Sequence, residues 1–274
     1  MMSCNSYLYI YALIMNKIIL IEYIDALLQA DKYLKVDASC NWLQVDSECE
    51  NISQISYAVD CTDYIIDQAV ANGSNFLIVH HWLFWWVEQP VLWMHYKKLQ
   101  KLLKNDIALY CSHLPIDAHE KYGNNWLLMQ DFISYFNLEE FDIKRFGLIE
   151  NTTSIWWSVR FKNPINLDAI AWYCKFIGII PNIYNYWEQK QVQSLAFVSG
   201  KWNIQLISEA RKNNIDLFVT GELVHYESTY AKEIQQSVLL WWHYETERCG
   251  VRALSEHIST AYNIPIIGID IGIQ

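Results

Sequence analysis

The sequence predicts an α/β fold on three observations. Strand-like and helix-like stretches alternate along its 274 residues. Several short apolar runs end abruptly in polar, chemistry-bearing side chains, Asn75-Phe-Leu-Ile-Val-His80-His81 being the clearest. The composition, 53% apolar and 18% charged, is that of a globular chain long enough to bury a sizeable core.

The elements follow in order. From Asn16 onward, Ile18, Ile19, Ile21, Ile24, Leu27 and Leu28 recur with the spacing of an amphipathic helix. Residues 55–60 alternate as a strand, and 62–71 carry Ile65, Ile66, Ala69 and Val70 at helical spacing. A strand at 76–81, a charged helix at 95–104, a strand at 107–113 and a helix at 125–136 complete the first half. After Phe146-Gly147 the alternation restarts with strands at 154–161, 194–199 and 216–220, and helices at 167–176, 204–212 and 226–234. A last unit comprises a strand at 238–241, a helix at 245–262 and a strand at 264–271. The interruption at 137–152 predicts a division into a domain of residues 15–136 plus 238–274 and a second of residues 137–237. The apolar run from Tyr7 to Met15 falls well short of the ~20 residues of a spanning helix, and since the helical pattern begins at Asn16, residues 1–14 are read as a disordered extension or a mis-called start.

Charge and cysteine usage narrow the function. A formal charge of −10 argues against a reader of nucleic-acid backbone, and no membrane segment is evident. The seven cysteines form no Cys-x-x-Cys pair, which predicts reduced thiols in a cytoplasmic protein and no thiolate metal site. Gly147 and Gly200 belong to no phosphate-cradling pattern. His95 and His257 are read as surface residues on helices.

Four segments carry the chemistry, each after a predicted strand, so that one sheet rim would gather them. They are His80-His81; His113-Leu-Pro-Ile-Asp117-Ala-His119, with Pro115 holding the chain extended; Gly221-Glu222-Leu-Val-His225; and His243-Tyr-Glu-Thr-Glu247. Adjacent strand residues point to opposite faces, so His80 and His81 would reach two neighbouring ions more readily than one. His243 and Glu247 lie i, i+4 on one helix face. Three imidazoles and two carboxylates without thiolate suit zinc, iron or manganese, and two ions about 3.5–4 Å apart would activate a bridging water.

With these segments in order, the chain resembles the GTP cyclohydrolase 1 type 2-like family, the YbgI-like dinuclear-metal proteins. Asn41-Trp-Leu-Gln-Val45, Ala58-Val-Asp60, Ile78-Val-His-His-Trp-Leu-Phe-Trp85, His113 to His119, Gly123-Asn-Asn125, Ala196-Phe-Val-Ser-Gly200, Val219-Thr-Gly-Glu222 and His243 to Glu247 carry the likeness from Met15 to the end. The resemblance implies two intertwined α/β domains with a metal cleft between them and a ring-shaped homohexamer. It implies two divalent ions per subunit held by His80, His81, Asp117, His243 and Glu247, with His113 and His225 lining the cleft as catalytic candidates. The implied activity is a hydrolase in which metal-activated water attacks the ring of a purine nucleotide. The alternatives are a metal-dependent binding or scaffold protein, and a dinuclear-metal phosphoester hydrolase.

One departure is systematic. Trp stands at 42, 82, 126 and 242, and also at 93, 187 and 202, where the family has glycine. Glycine usage of about 7% would give ~19 residues, whereas the chain has nine, and its thirteen tryptophans are a matching excess. The reading is a gene whose UGA codons mean glycine, translated with UGA as tryptophan; UGG at 82 and 242 would refute it. The competing expectation is a tryptophan-rich pocket that stacks on a substrate base.

Overall fold

The computed structural model describes residues 15–84, 90–150, 152–186, 188 and 190–271. The predicted extension at 1–14 and Trp187 lie outside them. No described helix is long and apolar enough to cross a membrane.

The first half is built from β1 (Met15–Asn16), α1 (Lys17–Leu28), β2 (Leu43–Val45), β3 (Asn51–Ile52), β4 (Ile55–Ala58), α2 (Asp63–Ala71), β5 (Phe76–Val79), α3 (Trp93–Lys104), β6 (Ala108–Cys111), α4 (Leu114–Ala118) and α5 (Asn124–Tyr135). The second runs through β7 (Phe141–Phe146), β8 (Trp156–Asn166), α6 (Leu167–Phe176), β9 (Asn182–Tyr184), β10 (Gln191–Val198), α7 (Ile204–Lys212), β11 (Leu217–Thr220) and α8 (His225–Glu233). It closes with β12 (Val238–Leu240), α9 (His243–Tyr262) and β13 (Ile266–Gly268).

Two mixed sheets result. The five-stranded sheet has the order β13-β4-β5-β6-β2, parallel except for β2. The six-stranded sheet has the order β7-β8-β10-β11-β12-β9, with β10, β11 and β12 parallel and the other pairings antiparallel. The strand at 238–240, read from sequence as part of the returning unit, hydrogen-bonds into the six-stranded sheet, and α9 then carries the chain back to β13.

Both faces of each sheet are covered at its central strands, which is why β5, β6 and β11 read as apolar runs. In β5, Phe76 and Ile78 pack with α1 and α9, while Leu77 and Val79 pack with α2 and α3. All four are fully buried, each contributing about 1.5–3 kcal/mol by removal from water. In the second sheet, Phe197 and Val219 meet α5 and α6, and Ala196 and Phe218 meet α7. Caps set the helix starts: Asn16 Oδ1 accepts from Ile18 N at 2.9 Å, and Thr62 Oγ1 accepts from Ile65 N at 3.2 Å.

The tryptophans divide by backbone conformation. Trp242, just before α9, has φ +67° and ψ 139°, a region essentially reserved for glycine, and its side chain is 63% exposed. Trp93 also has positive φ, at +47°, and is 82% exposed. Trp42, Trp82, Trp126 and Trp202 are not among the residues of positive φ. Trp126 packs edge-to-face on Trp157, with ring centroids 4.9 Å apart. The glycine reading therefore has backbone support at 242 and 93 and none at these four. Trp242→Gly relieves strain of about 1–3 kcal/mol and raises the thermal unfolding midpoint in calorimetry.

Candidate metal centre

The ends of strands from both sheets build the site. Beyond β5, the His80 and His81 amides both donate to the Val59 carbonyl, at 3.0 and 2.7 Å, which fixes the loop that carries the two rings. Beyond β6, the expectation of an extended stretch is corrected. Pro115 occupies the first turn of α4, where its missing N–H costs nothing, and this short helix presents Asp117. Beyond β12, α9 opens on His243 and places Glu247 one turn later, as the i, i+4 spacing predicted. The gathering rim is thus not one sheet's edge: β5 and β6 belong to one sheet and β12 to the other.

Three groups of side chains could hold a metal ion: His80, Asp117 and Glu247; His81, His243 and Glu247; and His80, His81 and His113. In each, the ligand atoms lie within 4.8 Å of one another. His80 Nε2 is 3.7 Å from Asp117 Oδ2 and 3.6 Å from Glu247 Oε1. His81 Nε2 and His243 Nε2 each lie 3.0 Å from Glu247 Oε2. Yet Glu247 Oε2 and His80 Nε2 are buried and make no hydrogen bond. Close approach without hydrogen-bond alignment, by nitrogen and oxygen donors only, fits side chains that converge on a shared divalent cation.

Each donor is held from behind. His80 Nδ1 donates to the Ser112 carbonyl at 3.0 Å, and His81 Nδ1 meets Asp60 Oδ1 at 2.7 Å. His243 Nδ1 pairs with Glu222. Occupied Nδ1 atoms leave Nε2 as the ligating nitrogen and raise its basicity. Asp117 Oδ1 accepts from Asn124 Nδ2 at 2.8 Å and Ser199 Oγ at 2.9 Å, so Oδ2 is the oxygen turned to His80. Gly200 makes room for Glu247: a Cβ there would sit 2.2 Å from Oε1, and φ is +63°. Gly221 does the same for α9, since its Cβ would sit 2.7 Å from His243 Cα.

The electrostatics follow from burial and pairing. Burial alone would lower the pKa of His81, but the hydrogen bond to Asp60 and the negative charge of Glu247 beside it outweigh this and raise the ring to about 10. Burial likewise opposes the rise at His243, where Glu247 and Glu222 lift it to about 9. At Glu247, burial would raise the carboxyl, but the surrounding imidazoles hold it well below the usual range.

The family signature described as Duf34/NIF3 (NGG1p interacting factor 3) matches residues 15–272. The chain belongs to the Duf34/NIF3 family. A GTP cyclohydrolase 1 type 2 homolog of Escherichia coli K12 is 32% identical, the match covering 86% of this chain and 90% of the relative. One from Pyrococcus abyssi is 31% identical, covering 88% and 94%. Among solved structures, protein ybgI, described as of unknown function, superposes with a TM-score of 0.81 at 29% identity, covering 94% of this chain and 99% of the other. Reduced HcgD from Methanocaldococcus jannaschii gives 0.79 at 26%, covering 93% and 98%.

Within this Duf34/NIF3 chain, His80, His81, Asp117, His243 and Glu247 are brought together, and His113 stands beside His80 and His81. His225 is not: it is exposed at the first turn of α8, whose start is fixed by Glu227 Oε2 accepting from Val224 N at 2.8 Å. His95 and His257 lie outside the groups as expected but are half-buried, His257 bonding Tyr23 and Tyr122. Asp60, Asn124 and Ser199 escaped a functional reading because each touches a donor and not an ion; only the likeness quoted their segments.

Asp60→Asn weakens divalent-ion binding about 10–100-fold, which titration calorimetry of ion-free protein reads directly. Because His81 and His243 carry protons below about 10 and about 9, ion uptake at neutral pH must expel them. Apparent affinity therefore rises with pH and plateaus above that range, as potentiometric or calorimetric titration at stepped pH will show.

Proposed function

We propose that this chain is a dinuclear divalent-metal hydrolase acting on a purine nucleotide, after the pattern implied by its GTP cyclohydrolase 1 type 2-like relatives. The observation that carries the reading is the shared Glu247: its two oxygens face separate groups, Oε1 toward His80 and Oε2 toward His81 and His243. One ion would be held by His80, Asp117 and Glu247 and the other by His81, His243 and Glu247, zinc, iron and manganese all suiting the donors. When bound, such a pair supplies Lewis acidity that lowers the pKa of an attached water and stabilises a tetrahedral transition state.

The chain's own residues supply the rest. Asp60, Glu222 and the Ser112 carbonyl orient the imidazoles, so little reorganisation remains for the reaction. His113, within reach of the groups and outside the five-residue set, moves protons between substrate and water. Trp82, edge-on to His113 with ring centroids 4.5 Å apart, excludes water from that side. His225, exposed on α8, is not given this role. The same reading takes the protein to be a cytoplasmic, ring-shaped homohexamer.

Zinc- or manganese-loaded protein incubated with GTP is expected to give a ring-opened, formylated product, and Glu247→Gln to lose both product and bound ion. Phosphate release from generic phosphoesters would instead favour a phosphoester hydrolase. Ion binding without turnover of either would favour a binding or scaffold role.

A further inference from the structure

Like His81 and His243, His113 meets a carboxylate at Nδ1, but here the carboxylate is buried and the loop that carries it also grips the histidine's backbone. Its Nδ1 lies 3.2 Å from both oxygens of Asp37 and 3.1 Å from Ser39 Oγ. Asp37 is 6% exposed and accepts from Ser39 N at 2.9 Å, Asn41 Nδ2 at 2.8 Å and Leu114 N at 3.1 Å. Asn41 Oδ1 in turn accepts from the His113 amide at 2.6 Å. Three residues of one loop, Asp37, Ser39 and Asn41, thus grip His113 by its ring and its backbone.

The hydrogen-bond roles are determined by chemistry. A carboxylate only accepts. Burial would raise the Asp37 carboxyl, but bonds from His113, Ser39 and Asn41 hold it far below its ordinary range. Ser39 Oγ gives its proton to Asp37, so its oxygen is left to accept as well. Every group facing Nδ1 is therefore an acceptor, and Nδ1 must carry the hydrogen. The other ring nitrogen, Nε2, is left for the cleft, where His113 sits with ring centroids 5.0 Å from His80 and 6.1 Å from His81.

We infer that Asp37 is a positioning residue, which holds His113 as the Nδ1–H tautomer and presents Nε2 to the cleft as the atom that accepts and returns the substrate's proton. Among the described residues, Asp37 hydrogen-bonds Ser39, Asn41, His113 and Leu114 and none of the five proposed ion ligands, so it reaches the cleft through the His113 ring and the first turn of α4. The role given to Nε2 rests on the hydrolase reading; the tautomer does not.

The test is nitrogen-15 NMR of histidine-labelled full-length protein, ion-free and zinc-loaded, with the His113 signals assigned by His113→Gln. The wild type should show Nδ1 protonated and Nε2 bare. Asp37→Asn, whose amide can turn N–H groups toward the ring, should shift His113 toward Nε2–H while zinc content by elemental analysis stays at the wild-type level. It should also lower kcat on whichever substrate the wild type hydrolyses by about 100-fold or more, with KM little changed. A wild-type His113 already protonated at Nε2, an unmoved tautomer in Asp37→Asn, or loss of zinc in that variant would each overturn the inference. Should Asp37→Asn fail to fold, the wild-type tautomer still decides, and Ser39→Ala replaces the variant. A wild type that takes up no zinc yet keeps Nδ1–H would sink the hydrolase reading and the proton-transfer role with it, while leaving the Asp37–His113 coupling in place.

Discussion

A single buried carboxylate organises this molecule. Glu247 is 3% exposed and is surrounded by the Nε2 atoms of His80, His81 and His243. Removing a negative charge from water is costly unless positive or donor groups compensate it. Here the compensation comes from three imidazoles, two on the loop after β5 and one on the first turn of α9. The cost of burial thereby couples the two sheets: pulling them apart would strand the carboxylate.

The backbone had to yield space for that coupling. Gly200 and Gly221 lie at the start of the loops after β10 and β11, and both bring the main chain closer to α9 than any side chain would allow. The Gly200 N–H donates to Thr246 Oγ1 at 2.9 Å, and the Gly200 carbonyl accepts from Gly221 N at 2.9 Å, so the gap left by missing side chains is filled with hydrogen bonds. Asn124 and Asn125, fully buried on α5, extend this network to Asp117 and Ser199. The polar interior is thus continuous from the first sheet to the second.

Much of this was legible in the residues. The run Phe76 to Val79 announced a doubly covered strand, and α6 and α7 fall where their apolar spacing put them, because burial imposes periodicity. The five converging donors were legible because each follows a strand end. What escaped was set by tertiary contact. Asp37 lies in a loop whose composition says nothing of a histidine 76 positions away. β7 reads Phe-Asp-Ile-Lys-Arg-Phe, mostly exposed and without strict alternation, so its sequence reads as an interruption. Pro115 suggested extension when read alone, yet at a helix start it does the opposite. The division of the four segments between two sheets was hidden, since local pattern carries no record of which strand pairs with which.

The order of strands in the five-stranded sheet has a consequence for biosynthesis. β4 is flanked by β5 on one side and by β13 on the other. More than two hundred residues separate β13 from β4, and the whole six-stranded sheet is made between them. On the ribosome, one edge of β4 therefore stays unpaired until Ile266–Gly268 has emerged. That exposed main-chain edge is a template for pairing with neighbouring nascent chains.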